Sequence, residues 1–281
     1  MPPPPVPPLV LVFAGADPTC GAGLQADLLT LAALGCHPLT VATALTVQDT
    51  AGVASFEAVA PELVEDQARE LLADMRVAVF KVGMIASVAN VAAIAAVIAD
   101  YPDIPLVLDP VLASGRGDEL SGGDIVAALR DLLLPQTNFL TPNSVEARRL
   151  ALAEPDADLA GCALELLNAG CEYVLATGTH ENTTQVINSL YGPVPGSTDE
   201  ASVGLVRRDA WTRLPGSYHG SGCTLASALA AMLARGLDAS AAARAAQEFT
   251  WQSLKAGFRP GMGQFIPDRM FAVREHISGA K

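Results

Sequence analysis

The hydrophobic positions of this chain form two patterns that alternate along most of its length. Short continuous runs of Val, Leu and Ile are followed by longer Ala- and Leu-rich segments with helical spacing: LVLVFAG before AGLQADLLTLAALG, AVFKVG before SVANVAAIAAVIAD, and TNFLTP before NSVEARRLAL. Alternation of this kind predicts β-α-β units and a parallel sheet. The runs lack a polar residue at every second position, as expected of strands that helices cover on both faces.

Two stretches depart from this pattern. Between Leu39 and Ala60, two extended segments flank a turn at residues 49–52, which predicts a peripheral strand pair. The stretch from Tyr173 to Arg208 also has β character and precedes two helical segments. Because no repeat or linker divides residues 9–281, we predict a single α/β domain behind a disordered Pro-rich tail at residues 1–8.

Composition and charge narrow the range of partners. Hydrophobic residues make up 51% of the chain and aromatic residues only 5%, so the predicted core consists mainly of Ala, Leu and Val. The net charge of -13 argues against nucleic acid and anionic membranes, because both attract clustered Lys and Arg. An anionic substrate would need local donors such as a metal ion or backbone N–H groups.

The five cysteines are scattered and have no metal-ligand spacing, which is typical of a protein in a reducing cytosol. The start MPPPPVPP lacks the features of a signal peptide, and no apolar run has the length of a membrane span. We therefore expect a soluble, cytoplasmic protein.

Ligands of an open α/β sheet bind beyond the carboxyl ends of the strands, where glycine turns lead into helices. Four segments of the sequence occupy such positions, namely residues 15–27, 81–84, 109–117 and 220–223.

The turn Gly220-Ser221-Gly222-Cys223 precedes a strongly apolar predicted helix. Its glycines could leave several N–H groups free at the positive end of the helix, forming an anion hole. A tight turn that only packs the helix on the sheet explains the pattern equally well. At this helix end the dipole would lower the pKa of Cys223 and let its thiolate accept a proton, whereas a buried, inert cysteine is the alternative.

Residues 14–28, AGADPTCGAGLQADL, form a second glycine-rich turn between a strand and a helix. Its glycines permit close approach of the backbone to a ligand. Asp27 lies in the first turns of the predicted helix. There it either complements the helix dipole or hydrogen-bonds a ring nitrogen or hydroxyl of a ligand.

Two further segments carry carboxylates. Asn143 and Glu146 have the spacing of a capping box, and Glu146 could alternatively bind Mg²⁺ through water. Asp109 ends the buried strand PLVLD and places a carboxylate at the strand's carboxyl end. The glycine-rich, charged residues 114–123 could form a lid over bound phosphate.

Several motifs together carry a family resemblance. They are AGADPTCGAGLQADLLT, TVQDT, KVGMI, LDPV, TPNSVEA and HGSGCTLASALAA, and they closely resemble the hydroxymethylpyrimidine/phosphomethylpyrimidine kinases of thiamine biosynthesis, in the ribokinase-like superfamily. The resemblance is dense over residues 9–150 and 211–236. It implies a three-layer αβα sandwich with a central, mostly parallel sheet and a small β flap.

The same resemblance implies an activity. Two successive ATP-dependent reactions in one site would convert 4-amino-5-hydroxymethyl-2-methylpyrimidine to its monophosphate and then to the diphosphate, with Mg²⁺ as the metal ion. The amides of Gly220, Ser221 and Gly222 would stabilise the transferred phosphoryl group, and Cys223 would take the substrate proton.

The resemblance also implies roles for other residues. The pyrimidine would lie near Gly15, Asp27, Gln48, Met84 and Val111. The metal and phosphate side would comprise Asp109 and Glu146 as Mg²⁺ ligands, with Asn143, Thr177 and Gly178 at ATP. The Gln48 amide both donates and accepts hydrogen bonds, which suits the edge of an aminopyrimidine.

The sequence departs from the family pattern at two lysines, which are absent at Thr177 and Met262. Losing one oriented donor to a transition-state anion costs roughly 3–4 kcal/mol. Compensation could come from Mg²⁺ or from Arg116, Arg207 or Arg208. Cys20 stands where the family usually has glycine, and we interpret it as a small filler.

Two other functions remain open at this point. Pyridoxal or pyridoxine kinases act on a substrate of similar shape, although Gln48 and Asp27 favour the aminopyrimidine. The missing lysines would also suit a catalytically weakened pyrimidine-binding protein. The Ala-rich, weakly charged composition is compatible with a homodimer.

Overall fold

The computed structural model describes residues 5–112, 123–194 and 202–274. Its strands are Leu9–Ala16 (β1), His37–Asp49 (β2), Gly52–Ala58 (β3), Val77–Val82 (β4), Leu106–Leu108 (β5), Phe139–Leu140 (β6), Tyr173–Thr177 (β7), Gln185–Pro193 (β8) and Val203–Thr212 (β9). These strands form one sheet in the order β3-β2-β1-β4-β5-β6-β7-β8-β9.

Helices connect most of the parallel strands. They are Gly23–Ala33 (α1), Pro61–Asp74 (α2), Val88–Ala99 (α3), Gly123–Ala128 (α4), Ser144–Leu150 (α5), Leu159–Asn168 (α6), Ser221–Ala234 (α7) and Ala239–Lys255 (α8). Side chains cap several N-termini: Ser87 accepts from the third amide of α3, and Asp158 and Asp238 do the same for α6 and α8.

The centre of the sheet is parallel and its edges are not. Strands β2, β1, β4, β5, β6 and β7 pair in parallel, whereas β3 pairs with β2, and β8 with both of its neighbours, in the antiparallel sense. The first part of β2 pairs with β1, and its end pairs with β3 around a turn that joins Asp49 to Gly52. The mostly parallel sheet and the peripheral strand pair are thereby confirmed.

Helices cover both faces of the sheet, and successive strand residues point to opposite cores. Leu11 and Phe13 pack with helices α2 to α6, and Val10 and Val12 pack with α1, α7 and α8. The strands therefore need apolar residues on both faces, which explains why they lack polar alternation. The three-layer αβα arrangement is confirmed.

Some expectations concern residues outside this description. Residues 1–4 of the proposed tail and residues 114–122 of the proposed lid are among them. Within the described ranges, no helix combines the length and the apolar character that crossing a bilayer requires. The division of the chain into a tail and a single domain stays a prediction.

Candidate active site

The two glycine turns lie against each other at the carboxyl edge of the sheet. Gly220 begins α7 with a φ of +79°, and a Cβ atom there would lie 1.9 Å from the carbonyl oxygen of Gly21. Only glycine permits both this left-handed conformation and this approach. A second contact joins the same turns, because His219 Nε2 lies 2.8 Å from Asp17 Oδ2.

Asp17 holds the first of these turns in place. Its carboxylate accepts hydrogen bonds from the N–H groups of Thr19 and Ala22 and from the Thr19 hydroxyl. Burial alone would raise the pKa of Asp17, but these hydrogen bonds and the one to His219 outweigh it and lower the pKa. The turn is therefore built around an ionised carboxylate.

The first turn of α7 offers amide groups to a ligand. No side chain caps this helix at Gly220, and the first amides of a helix have no acceptor within it. Gly222 is exposed, and a Cβ atom there would lie 3.6 Å from Asp109 Oδ1. The missing side chain leaves a space between the positive helix end and the Asp109 carboxylate.

A fully buried ion pair lies beneath this space. Lys81 Nζ lies 2.9 Å from Asp27 Oδ2 and 3.9 Å from Asp109 Oδ2. The other Asp27 oxygen accepts a 2.6 Å hydrogen bond from the Ser227 hydroxyl. Burial alone would lower the pKa of Lys81, but the charges of Asp27 and Asp109 raise it, so the lysine remains charged.

These contacts change the interpretation of Asp27. Its side chain has no exposed surface, and both of its oxygens are engaged with protein groups. Asp27 thus balances Lys81 in this structure, and its place beside a pyrimidine stays a prediction. Sequence spacing could not reveal the lysine partner on β4.

Cys223 lies at the third position of α7 and is buried. Burial and the charge of Asp109 raise the pKa of its thiol to about 12, despite the opposing charge of Lys81. The expectation of a lowered pKa is therefore wrong, because loss of solvent and a nearby carboxylate outweigh the helix dipole. Cys223 is a protonated thiol next to Asp109.

Three of the expected substrate residues come together between β1, β4 and β5. Met84 and Val111 belong to one small apolar cluster, which comprises Ala44, Val53, Phe56, Met84, Ala86 and Val111. A Cβ atom on Gly15 would lie 3.1 Å from Met84 Sδ, so Gly15 borders this cluster. We call this set of residues the apolar wall.

The β2–β3 pair forms a flap beside the apolar wall. Thr46 donates a 2.8 Å hydrogen bond to the carbonyl of Ala16, and Gln48 donates to the Thr46 hydroxyl at 2.8 Å. Since Gln48 pairs with Val53 of the wall, its amide lies on the same side of the flap as the wall.

The expected nucleotide residues lie at the ends of β6 and β7. Asn143 forms an isolated bridge with Thr177, and the Gly178 N–H bonds both Ile187 O and Asn188 Oδ1. Asn143 and Glu146 also form a reciprocal capping box at the start of α5. The capping interpretation of this pair is correct. The capping bond uses one side of the Glu146 carboxylate, and the other side is the part that could bind a cation.

Asp109 and Glu146 are the two carboxylates that could hold a cation. Asp109 Oδ2 is buried without a hydrogen-bond partner. Burial raises the pKa of Asp109 to about 6, and burial together with the Asp109 charge raises that of Glu146 to about 8. In the described residues, no three His, Cys, Asp or Glu side chains gather as a complete metal site. Two oxygen ligands fit Mg²⁺, which keeps several waters and binds substrate phosphates.

Arg207, one of the arginines proposed to replace the missing lysines, is already paired with a carboxylate. Arg207 forms a fork with Asp209 at 2.7 and 2.9 Å, opposite Leu190 in the middle of β9. Arg208 is exposed on the same strand, and Arg116 is outside the described residues. Arg269, which sequence analysis missed, instead contacts both glycine turns.

Comparisons with known proteins agree with this geometry. The family model for phosphomethylpyrimidine kinase matches residues 17–268. A hydroxymethylpyrimidine/phosphomethylpyrimidine kinase of Streptomyces coelicolor is 37% identical over 279 residues, which cover 97% of this chain and 98% of that protein.

Solved structures agree as well. A phosphomethylpyrimidine kinase of Clostridium difficile has a TM-score of 0.73 and 28% identity, covering 86% of this chain and 97% of that one. A pyridoxal kinase of Staphylococcus aureus in complex with ADP has a TM-score of 0.82 and 25% identity, and the alignment covers 94% of both chains. On the sequence match and its full-length relatives, this chain belongs to the phosphomethylpyrimidine kinase family.

Proposed function

We propose that this chain catalyses ATP-dependent phosphorylation of 4-amino-5-hydroxymethyl-2-methylpyrimidine and of its monophosphate, which yields the diphosphate for thiamine biosynthesis. One observation carries the proposal. Asp109 adjoins the apolar wall through the Val111 N–H, which donates to its carbonyl at 2.8 Å, and a Cβ atom on Gly222 at the start of α7 would lie 3.6 Å from its carboxylate, so an acceptor hydroxyl would meet a phosphoryl group there.

The apolar wall suits one face of a methylated pyrimidine ring. Gly15 leaves room above Met84, and Val111 completes the surface. Gln48 on the flap can donate to a ring nitrogen or accept from the exocyclic amine. These residues would hold the ring, while its hydroxymethyl group points towards Gly222.

The phosphoryl group would bind at the start of α7. The N–H groups of Ser221, Gly222 and Cys223 and the positive end of the helix stabilise charge on its equatorial oxygens. Asn143, Thr177 and Gly178 would lie beside the nucleotide phosphates. Asp109 and Glu146 would hold Mg²⁺, which supplies charge neutralisation for the transferred phosphate when it is bound.

Cys223 would relay the substrate proton to Asp109 and would not act as a base by itself. Burial raises the pKa of the Asp109 carboxyl to about 6, while the charge of Lys81 and the neighbouring Cys223 thiol oppose the rise, so the thiol is placed to donate to this carboxylate. As the substrate oxygen bonds to phosphorus, its proton passes to Sγ and the thiol proton passes to Asp109. Asp109 becomes neutral as it gains this proton, the added negative charge leaves on the phosphorylated product and ADP, and no free thiolate has to form.

A cytoplasmic homodimer completes the proposal. The flap exposes Leu45 and Val47, with 58% and 62% of their surface accessible. Two apolar side chains on one face of a strand pair suit contact with a second copy. Light scattering of the purified chain should give twice the monomer mass, and Leu45→Glu should reduce it.

The activity can be tested with purified protein and MgATP. Each pyrimidine and pyridoxal are supplied in parallel, and the products are identified by mass spectrometry. We expect kcat/KM for the pyrimidines to exceed that for pyridoxal, and Cys223→Ala to abolish most turnover. Cys162→Ala, which changes a buried cysteine on α6, is the matched control.

Two outcomes would overturn the proposal. A preference for pyridoxal would assign the chain to the other vitamin kinases of this fold. Calorimetry that detects tight pyrimidine binding but no binding of MgATP would instead identify a protein that binds pyrimidine without catalysis. Full turnover by Cys223→Ala would remove only the proposed proton path.

A further inference from the structure

Arg269 lies in the segment after α8 and is 3% exposed. Its Nη2 donates to Gly21 O at 2.6 Å and to Gly220 O at 3.3 Å, and its Nη1 donates to Cys20 O at 3.3 Å. Its Nε donates to the Thr224 hydroxyl at 3.0 Å. One guanidinium therefore contacts both glycine turns of the site.

Burial sets this arginine apart, because Arg213 and Arg259 also bond only carbonyls and hydroxyls but are not buried. Arg148 and Arg207 each lie within 3.0 Å of a carboxylate oxygen. Among the described residues, no ion pair within 4.0 Å involves Arg269, and its partners are three carbonyls and a hydroxyl. A buried charge is costly without a counter-ion in contact, and burial lowers the pKa of Arg269, although the nearby charges of Asp27 and Asp17 offset part of this effect.

Holding the turns together does not by itself require a charge. Asp17 and His219 already join them at 2.8 Å, and Gly220 packs directly on the carbonyl of Gly21. A neutral donor could bond these carbonyls at a lower desolvation cost than a guanidinium. Because Asp27 and Asp17 act on this charge only from a distance and no carboxylate of the described residues contacts it, the positive charge has room for a further anionic partner.

The position of the charge indicates such a partner. Gly220 is the N-cap of α7, and the Thr224 N–H makes the helix's first backbone bond to Gly220 O at 3.0 Å. Arg269 contacts both residues, so its charge lies directly behind the turn whose amides face the ligand space. An anion held by those amides would interact with the helix end and would also be attracted to the charge of Arg269.

We propose that Arg269 is a positioning residue of the phosphoryl-transfer site, whose buried charge, held behind the Gly220 turn, is balanced by the anionic phosphoryl group and replaces the lysines absent at Thr177 and Met262. This inference rests on the proposed phosphoryl transfer. It makes the anion site of this chain depend on the segment after α8, which sequence resemblance covers only thinly.

Three variants of the full chain separate charge from structure. Arg269→Lys keeps the charge and loses the fork, and Arg269→Gln keeps a donor and loses the charge. Arg274→Gln is the control, because Arg274 lies on the same segment but is largely exposed and pairs with Asp268 at 2.8 Å. Thermal unfolding of each variant records the structural effect.

The decisive readout is binding of ligands with different charge. By calorimetry we expect Arg269→Gln to weaken binding of ADP and of inorganic pyrophosphate roughly 10- to 100-fold, while binding of the uncharged hydroxymethylpyrimidine stays within about twofold. Arg269→Lys should recover at least half of the lost anion affinity on a logarithmic scale. In the kinase assay, kcat should follow the same order.

Specific results would overturn the inference. One is binding of ADP by Arg269→Gln as tight as that of the unchanged protein. Another is an equal reduction of anion and pyrimidine binding by Arg269→Lys and Arg269→Gln, in proportion to lost stability. If Arg269→Gln does not fold, Arg269→Lys decides through the ratio of its affinities for the anions and for the pyrimidine. Reduced affinity for both ligands with an unchanged ratio rejects a role for the charge. The binding assays remain informative even if the chain phosphorylates no pyrimidine, so the two proposals fail separately.

Discussion

Lys81 Nζ and Asp27 Oδ2 lie 2.9 Å apart in the interior of the protein, and neither side chain has any exposed surface. The pair lies beneath the ligand space, with Asp109 Oδ2 3.9 Å from the same ammonium. Lys81 thus interacts with two carboxylates that have different surroundings. Asp27 is also fixed by Ser227, whereas Asp109 faces the space above Gly222. The charges of Lys81 and Asp27 therefore lie next to Asp109 and influence its ionisation.

Breaking this pair should be costly. Lys81→Met leaves Asp27 buried without its counter-ion, and we expect the free energy of unfolding to fall by about 3–5 kcal/mol. Adding Asp27→Asn removes the stranded charge and should restore part of the loss, since Asn can still accept from Ser227. Urea unfolding of both proteins measures the effect. A loss below about 1 kcal/mol in the single variant would contradict it.

The contact between the two glycine turns gives a second prediction. Gly220→Ala would place a methyl group 1.9 Å from the Gly21 carbonyl, so the turns must separate and the amides of α7 must move. We expect kcat to fall at least tenfold. Gly35→Ala is the matched control, because Gly35 has a φ of +77° with no atom within 4 Å of a Cβ, and should cost only the left-handed strain of about 1–2 kcal/mol.

The sequence predicts the layers of this fold and most of its elements for a simple reason. Apolar runs of strand length followed by helical periodicity leave few arrangements other than a parallel sheet covered on both faces. The apolar wall and its border at Gly15 also follow, because Gly15 lies near the carboxyl end of β1, and Met84 and Val111 lie just beyond the carboxyl ends of the adjacent strands β4 and β5.

Charges at the site could not be predicted in the same way. A lysine inside the apolar strand AVFKVG is a signal of a buried ion pair, yet its partner Asp27 lies on α1, and only the packed fold brings the two together. The pKa of Cys223 depends on its burial and on the charge of Asp109, and Cys223 and Asp109 lie far apart in the chain. Arg269 gave no signal, because its partners are backbone carbonyls that any residue could supply.

Asp17 predicts how stability depends on pH. Its pKa in the folded protein lies below the ordinary value of 3.8, so its stabilising effect is complete above that value and is lost as the pH falls through the lower folded pKa. Asp17→Asn should therefore cost about 1–2 kcal/mol at pH 6 and progressively less at more acidic pH. Denaturant unfolding across this range tests it, with exposed Asp103→Asn as control; a constant difference at all pH values would contradict the assignment.

The cysteines should differ sharply in reactivity. Cys20 is exposed at the first glycine turn, whereas Cys223 is buried and its raised pKa keeps the thiolate scarce. Brief treatment with iodoacetamide at pH 7.5 should alkylate Cys20 and leave Cys223 unmodified in the folded protein. Peptide mass spectrometry distinguishes the two sites. Faster labelling of Cys223 would indicate an open site and a reactive thiolate.

The flap is held by the loop in which the family lysine is missing. Thr50, at the turn of the flap, accepts hydrogen bonds from the N–H of Gly263 through its hydroxyl at 3.0 Å and from the N–H of Gln264 through its carbonyl at 2.8 Å. A Cβ atom on Gly263 would lie 1.8 Å from the Thr50 carbonyl oxygen, so only glycine permits this approach. The loop thus contacts the strand pair that carries Gln48.

Thr50→Val removes the hydroxyl acceptor and keeps the side-chain shape. Losing one such hydrogen bond costs about 1 kcal/mol, which corresponds to roughly a fivefold rise in KM for the pyrimidine if the flap must be ordered to bind it. The value of kcat should change less than about twofold, because the amides of α7 and Asp109 lie elsewhere. Thr50→Ser restores the acceptor and should restore KM. If Val and Ser behave alike, the loop does not hold the flap through this hydroxyl, and the backbone bond from Gln264 alone must suffice.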